Sequence, residues 1–195
     1  MRLPFDLEKE IEQLFQGMDE AYDRTAGRLG FECHGCEDNC CLTHFHHYTL
    51  MELLYLKSGL VILPENRQSS ILDRARQAVR KMASLERLGE PVRVMCPLNE
   101  KGRCVLYAHR PMICRLHGIP HRLERPDGGT VTGPGCDGCN AQCGNSGKVQ
   151  LNRTPLYAAM AELERRLRDR LDFKQRIRLT VAQMIIDDTI EKSLL

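Results

Sequence analysis

Ten cysteines are the residues of this 195-residue chain whose type and spacing are best suited to chemistry. Six of them form two triplets with the same Cys-x2-Cys-x3-Cys spacing: Cys33, Cys36 and Cys40, and then Cys136, Cys139 and Cys143. A Cys-x2-Cys turn lets two thiolates reach one metal, and a third thiolate four residues later can close one face of a tetrahedral centre or of an iron–sulfur cube. The fourth ligand must come from elsewhere, and Cys96, Cys104 and Cys114 are the candidates.

Cys41 directly follows the first triplet. Adjacent side chains diverge on a helix and point to opposite faces of a strand, so Cys40 and Cys41 are not expected to bind one ion equally. Cys41 therefore either ligates a different site or packs as a buried thiol.

The N-terminal sequence MRLPFDLEKEIEQLF is charged within its first ten residues and has no apolar run of the signal-peptide type. We therefore expect a cytoplasmic protein, in which thiols stay reduced. No stretch is apolar for long enough to span a membrane. In such a compartment clustered cysteines are more often metal ligands than disulfide partners.

Three arginines lie close to the central cysteines in CPLNEKGRCVLYAHRPMICRLHG, residues 96–118. A four-thiolate zinc site or an oxidised four-iron cluster carries a net charge near −2 and needs compensating charge. Arg103, Arg110 and Arg115 are therefore candidate cofactor-binding residues, able to donate charge-assisted hydrogen bonds to sulfur. The alternative is that they are surface arginines beside a loop.

The order of these motifs resembles the YkgJ-type cysteine cluster family, bacterial proteins described as zinc- or iron-chelating domains. The resemblance covers about residues 31–138, whereas Cys139 and Cys143 lie outside its motif and rest on spacing alone. It implies metal binding and leaves zinc and iron both open. The residues that carry it after Cys33, Cys36, Cys40 and Cys41 are Cys96, Pro97, Leu98, Gly102, Arg103, Cys104, Tyr107, Arg110, Pro111, Cys114 and Arg115.

Histidines are a second set of possible ligands, and His44 and His46 are the best placed because alternate residues of an extended chain share one face. With so many thiols present, ligation by cysteine is favoured. A Cys–His catalytic pair is possible in principle. The sequence contains no Ser/His/Asp set, phosphate-binding loop or paired-carboxylate motif.

Helical patterns surround the cysteine-rich segments. The first stripe is capped by Asp6 and followed by Gly30; a second helix begins at Thr49 and is expected to stop at Gly59. Further helices are predicted over about 70–88, from Thr154 onwards, and near the C-terminus. Short strands are expected only around 99–102. The apolar stripes consist of Leu7, Ile11, Leu14, Phe15, Met18 and Tyr22, of Leu72, Ala75, Val79, Met82 and Leu85, of Leu156, Met160, Leu163 and Leu167, and of Ile177, Val181, Met184, Ile185 and Ile190.

The predicted fold is mainly α: a single-domain helical bundle over 1–195 with cysteine-rich metal-binding loops in 31–143, flanking helices in 1–30 and 151–195, and at most a short β-hairpin. A net charge of +2, the absence of Trp and 5% aromatic residues give no strong signal for nucleic acid. Acidic residues dominate 1–41 and basic ones 67–93, which is typical of two solvated faces.

Three classes of function remain open. The favoured one is a protein holding one or more iron–sulfur clusters, most simply of the 4Fe-4S type, with a redox, sensing or accessory role and an unidentified protein or redox partner. The second is a zinc-stabilised binding module, and the third an enzyme with an open metal position. We expect two metal centres, one on Cys33, Cys36 and Cys40 or Cys41 and the other on Cys136, Cys139 and Cys143.

Overall fold

The structure is a computed structural model and describes residues 3–33, 40–144 and 149–188. It is mainly helical, which confirms the predicted fold class. The helices are α1 (Phe5–Leu29), α2 (Leu50–Val61), α3 (Glu65–Leu88), α4 (Met112–Leu116), α5 (Asp137–Cys143), α6 (Thr154–Leu171) and α7 (Val181–Ile186). The strands are β1 (Asn99–Glu100), β2 (Arg103–Cys104), β3 (His121–Glu124), β4 (Thr130–Gly133) and β5 (Leu151–Asn152).

The chain divides into two compact units. Unit 1 comprises Met1–Phe5, Cys41–Pro111 and Asp172–Leu195, and unit 2 comprises Asp6–Cys40 and Met112–Leu171. The single domain expected from the sequence stays a prediction. No helix in the described part of the chain is long and apolar enough to cross a membrane.

Unit 1 is built around α2, most of whose residues are buried. The Thr49 hydroxyl accepts a hydrogen bond from the backbone N–H of Glu52 and caps the start of α2, as predicted. Helix α7 packs on α2 and α3 and begins with a reciprocal capping box between Thr180 and Gln183. Strands β1 and β2 form the expected short hairpin, whose turn residues Lys101 and Gly102 both have positive φ.

Unit 2 contains the long helices α1 and α6. Arg166 binds Glu10 through both guanidinium nitrogens at 2.6 and 2.7 Å, and Arg170 binds Asp6 at 2.8 Å, which sets the two helices antiparallel. A three-stranded sheet in the order β4-β3-β5 accompanies them. Strand β3 pairs antiparallel with β4 and parallel with β5.

Several predicted boundaries were wrong. Helix α2 continues past Gly59 to Val61, because Gly59 is needed for packing: a Cβ there would lie 2.4 Å from Cγ of His109. Helix α3 begins at Glu65 directly after Pro64, earlier than predicted, and ends as expected at Gly89 with φ +69°. Ile177 precedes α7 rather than belonging to it, and Ile190 lies outside the described residues. The three-stranded sheet exceeds the single hairpin that the sequence predicted, because β3 and β5 pair across about 30 residues of chain.

Candidate metal centre

Unit 1 brings together three cysteines that are far apart in sequence. The backbone N–H of Cys96 donates to the carbonyl of Cys41 at 2.8 Å. Asn99 donates to the carbonyl of Cys96 at 3.0 Å and lies opposite Cys104 in the β1–β2 hairpin. The turn and the hairpin therefore place Cys104 near the Cys41–Cys96 contact. We call Cys41, Cys96 and Cys104 the hairpin thiols.

Among the hairpin thiols, Cys96 is strongly affected by burial. Burial raises the pKa of the Cys96 thiol to about 12, and the neighbouring thiols of Cys41 and Cys104 act in the same direction. A hydrogen bond from the backbone at Leu98 and the charge of Arg74 oppose this rise. Each of the two neighbours thus lies near enough to act electrostatically on the Cys96 sulfur.

Helix α3 holds the hairpin through two arginines. Arg74 donates to the carbonyl of Pro97 at 2.9 Å and to the Glu100 carboxylate at 2.8 Å, and Arg67 donates to the same carboxylate at 2.7 Å. These guanidinium groups lower the pKa of Glu100. Arg74 is a site residue that the sequence analysis missed, because it lies 22 positions before Cys96 on another element.

A shallow cavity of about 540 Å³ opens beside Cys104. Its cationic side chains outnumber its single carboxylate, so the surroundings of the Cys104 thiol are positively charged. The lining residues are Arg67, Glu100, Lys101, Arg103, Cys104 and Val105. Of the three arginines predicted to balance a metal centre, Arg103 thus lies next to one of the hairpin thiols.

The other two predicted arginines have partners of their own. The guanidinium of Arg110 lies 3.7 Å above the Tyr107 ring and donates to the Tyr107 carbonyl at 2.9 Å. Arg115 is buried, binds Asp19 at 2.6 Å and lies 4.2 Å from the ring centre of Phe15. Contacts of Arg103, Arg110 and Arg115 with sulfur stay a prediction.

In unit 2 the second cysteine triplet follows one side of α5. Cys136 is the N-cap residue, Cys139 is the third helical residue and Cys143 is the last. Spacings of three and four residues place side chains on the same face of a helix. We call Cys136, Cys139 and Cys143 the α5 thiols.

Cys139 is the buried member of this set. Cys139 is 1% exposed, whereas Cys136 and Cys143 are partly exposed. Burial raises the pKa of Cys139 to about 11, and the charge of the Cys143 thiol and a hydrogen bond with it add to the rise. The sulfur lies directly on Gly135, where a Cβ would come within 2.9 Å of it.

The first triplet is only partly described. Cys33 and Cys40 are exposed, while Cys36 lies outside the described residues. Cys33 and Cys40 lie in unit 2, as does Cys114 on α4, whereas Cys41 lies in unit 1. The nine cysteines among the described residues are thiols. Of the seven predicted ligands outside the second triplet, Cys41, Cys96 and Cys104 are thus the ones that the backbone of unit 1 groups together.

The predicted histidines also lie together. The rings of His44 and His46 are 4.8 Å apart, and His44 Nε2 is 3.9 Å from the carboxylate of Glu86. Burial, followed by the charges of Arg178 and His44, lowers the pKa of His46. His47 is buried, with Nδ1 3.7 Å from the Glu52 carboxylate, and its backbone pairs with Leu179.

These donors fit a thiolate metal centre in their chemistry. Within residues 3–33, 40–144 and 149–188, no three His, Cys, Asp or Glu side chains stand as a ready-made site for one ion. Soft thiolate donors select zinc, copper(I) and iron–sulfur clusters. Binding would therefore have to draw the sulfurs closer together and displace their protons.

The comparison with protein families bears directly on this donor set. Residues 32–125 match the model named CxxCxxCC, described as a "putative zinc- or iron-chelating domain". This segment is similar to the CxxCxxCC family. The match includes all the cysteines from Cys33 to Cys114 and ends before the α5 thiols. It confirms the resemblance seen in the sequence and supports metal binding, with zinc and iron both covered by the description. None of the curated proteins or solved structures compared with the chain matches it.

Proposed function

We propose that this protein holds one or more iron–sulfur clusters through clustered cysteine thiolates, and that it serves a redox, sensing or accessory role in the cytoplasm. The observation that carries the proposal is the grouping of Cys41, Cys96 and Cys104 inside the segment that matches the CxxCxxCC family model. Sulfur is the donor that these three residues have in common. The metal ligands are drawn from the ten cysteines of the chain.

The charges around the hairpin thiols support a negatively charged centre. Arg74 acts on the Cys96 thiol, and Lys101 and Arg103 line the cavity beside Cys104. A centre with four thiolates is more negative than its metal can balance, so nearby cations stabilise the loaded form. This favours a metal–thiolate centre over a set of inert buried cysteines.

The number of thiols favours iron over zinc. A structural zinc ion is satisfied by four ligands, and the segment 32–125 alone contains seven cysteines. When bound, an iron–sulfur cluster would supply one-electron chemistry. The chain's own residues hold it, shield it at Cys96 and balance its charge through Arg74.

A zinc-stabilised binding module is the second candidate, because the family description includes zinc. In that case the metal orders the hairpin and the loops, and the protein acts through its surface. Zinc has no redox chemistry and no visible absorption band of its own, so the two candidates differ in a simple measurement.

The test is anaerobic purification of the full chain, followed by measurement of iron, zinc and acid-labile sulfide and by absorption spectroscopy. We expect brown protein with iron and sulfide in equal amounts. A colourless protein that contains zinc and no sulfide would overturn the iron–sulfur proposal. Cys96→Ser and Cys104→Ser are expected to lower the iron content, and the same change at Cys33, Cys36, Cys40 and Cys114 shows which further cysteines contribute.

A further inference from the structure

The α5 thiols lie beyond the segment that matches the CxxCxxCC family model, so the family match assigns them no role. They are also not the cysteines that the hairpin of unit 1 brings together. Their arrangement in unit 2 therefore has to be explained on its own.

A side chain of α5 connects this helix to the start of the first triplet. The Gln142 amide oxygen accepts from the backbone N–H of Glu32 at 3.3 Å, and its amide nitrogen donates to the Glu32 carbonyl at 3.2 Å. This two-way pairing fixes the backbone next to Cys33 against the residue next to Cys143. Within unit 2, the beginning of one cysteine triplet is thus held at the end of the other.

The opposite end of α5 is fixed as well. The backbone N–H of Cys136 donates to the Gly118 carbonyl at 3.0 Å, and a Cβ on Gly118 would lie 3.7 Å from the Cys136 sulfur. Gly135 places its backbone against the sulfur of Cys139. Glycines at these positions leave room around the sulfurs that larger residues would fill.

The spread of the α5 thiols limits what they can bind. Cys143 lies seven positions after Cys136, which corresponds to a backbone rise of about 10 Å along a helix. Sulfurs bound to one tetrahedral zinc ion are only about 4 Å apart, given metal–sulfur bonds of about 2.3 Å. A polynuclear cluster offers a separate metal atom to each thiolate, so it fits thiols spaced along a helix better than one ion does.

We infer that Cys136, Cys139 and Cys143 of α5, together with Cys33, form a second thiolate centre that holds a polynuclear iron–sulfur cluster. Cys139 is its buried anchor, and Gln142 is a positioning residue that keeps Cys33 beside α5. Loading the site deprotonates the thiols and releases their protons to solvent. The inference rests on the proposed function for the kind of metal and goes beyond it in naming a second site and its four ligands.

The test reconstitutes the full chain anaerobically with ferrous iron and sulfide and measures both per folded chain. We expect the double variant C139S/C143S to lose about half of the iron, the double variant C96S/C104S to lose the other half, and the quadruple variant to lose nearly all of it. Wild-type metal content in C139S/C143S, whichever metal is bound, would overturn the inference. Absence of iron and sulfide from the wild-type protein would instead overturn the proposed function, so the two failures are distinguishable.

Variants on the surface keep the test valid if the buried Cys139→Ser change unfolds unit 2. Cys33→Ser removes an exposed ligand and is expected to change the electron paramagnetic resonance signal of the reduced α5 cluster. Gln142→Ala is expected to speed iron loss to a chelator severalfold, while the matched control Gln16→Ala, on the exposed face of α1, behaves as wild type. Unchanged spectra and iron loss in both Cys33→Ser and Gln142→Ala would overturn the assignment of Cys33.

Discussion

Burial makes Cys96 and Cys139 very weak acids, and this has a direct chemical consequence. The thiolate is the form of cysteine that reacts with alkylating reagents. Burial raises the pKa of Cys96 to about 12 and that of Cys139 to about 11, so both thiols stay protonated at pH 8. Cys33 and Cys40 are exposed to solvent.

We therefore expect iodoacetamide to label Cys33 and Cys40 of the reduced, metal-free chain long before Cys96 and Cys139. Peptide mass spectrometry at increasing times measures the order. In strong denaturant the ten cysteines should react at similar rates, which serves as the control. Labelling of Cys96 in the native chain as fast as Cys33 would contradict the burial of the Cys96 thiol.

The ion pair between the buried Arg115 and the partly exposed Asp19 is a second feature with an effect at one residue. The Arg115 side chain is 3% exposed and the distance between the charges is 2.6 Å. Asp19→Asn removes a carboxylate that lies 2.6 Å from the buried guanidinium of Arg115, and we expect a loss of about 1–3 kcal/mol in the free energy of unfolding.

Urea denaturation measures this loss. Asp169→Asn is the matched control in the same unit, since its pair with Arg165 is exposed and screened by solvent, and we expect its removal to change the stability little. Similar losses in both variants would contradict the expectation that the Arg115–Asp19 pair stabilises the protein more than an exposed ion pair does.

At the scale of elements, Gly59 determines how closely α2 approaches the turn at Tyr107–His109. The Tyr55 and His109 rings lie 4.7 Å apart, and a Cβ at position 59 would clash with the His109 side chain near its base. We expect Gly59→Ala to destabilise unit 1 by about 1–3 kcal/mol. Gly17→Ala, in α1 with open space around it, should instead stabilise by about 0.5–1 kcal/mol. Thermal unfolding compares the two, and stabilisation by Gly59→Ala would contradict the packing.

The same glycine shows which features the sequence could predict. The start of α2 at Thr49 and the end of α3 at Gly89 follow from local hydrogen bonding and backbone conformation. Both boundaries could therefore be predicted from a few neighbouring residues. The end of α2 could not be predicted in this way, because Gly59 packs against His109, which lies 50 positions away in the sequence. In the sheet of unit 2, β3 and β4 form a local hairpin, whereas β3 and β5 pair across about 30 residues, and this second pairing could not be predicted from neighbouring residues.

The candidate site was predictable in its chemistry and less so in its grouping. The spacing of the triplets identified the cysteines of α5 as one set, because i, i+3 and i+7 share a helix face. It left open whether Cys41 replaces Cys40 in the first centre, binds at a different site or packs as a buried thiol, whereas the backbone joins Cys41 to Cys96. Nothing local could reveal this contact, or the roles of Arg74 and Gln142, which depend on elements distant in sequence.

At the scale of the whole chain, the long helices pack through apolar stripes, whereas the short cysteine-bearing helix α5 buries little. Helix α1 buries Leu7, Ile11, Phe15 and Met18, whereas α5 buries only Cys139. Conformational entropy opposes the ordering of such short segments, and apolar burial offsets it only in the long helices. A bound metal would supply the missing stabilisation to the thiol-bearing segments.

Removal of metal is therefore expected to loosen the segments around the thiols and to leave the helices folded. Far-ultraviolet circular dichroism of the chelator-treated chain should stay close to that of the loaded chain. A protease of broad specificity should cut first between residues 126 and 148 once the metal is gone, while α1 and α6 stay protected because their stripes are buried without it.

The loaded C139S/C143S variant should be cut in that region as fast as the stripped wild type, because it lacks the centre proposed for α5. Equal cleavage of loaded and stripped wild-type protein over 126–148 would show that α5 is ordered by packing alone, and the metal would then have no structural role in unit 2.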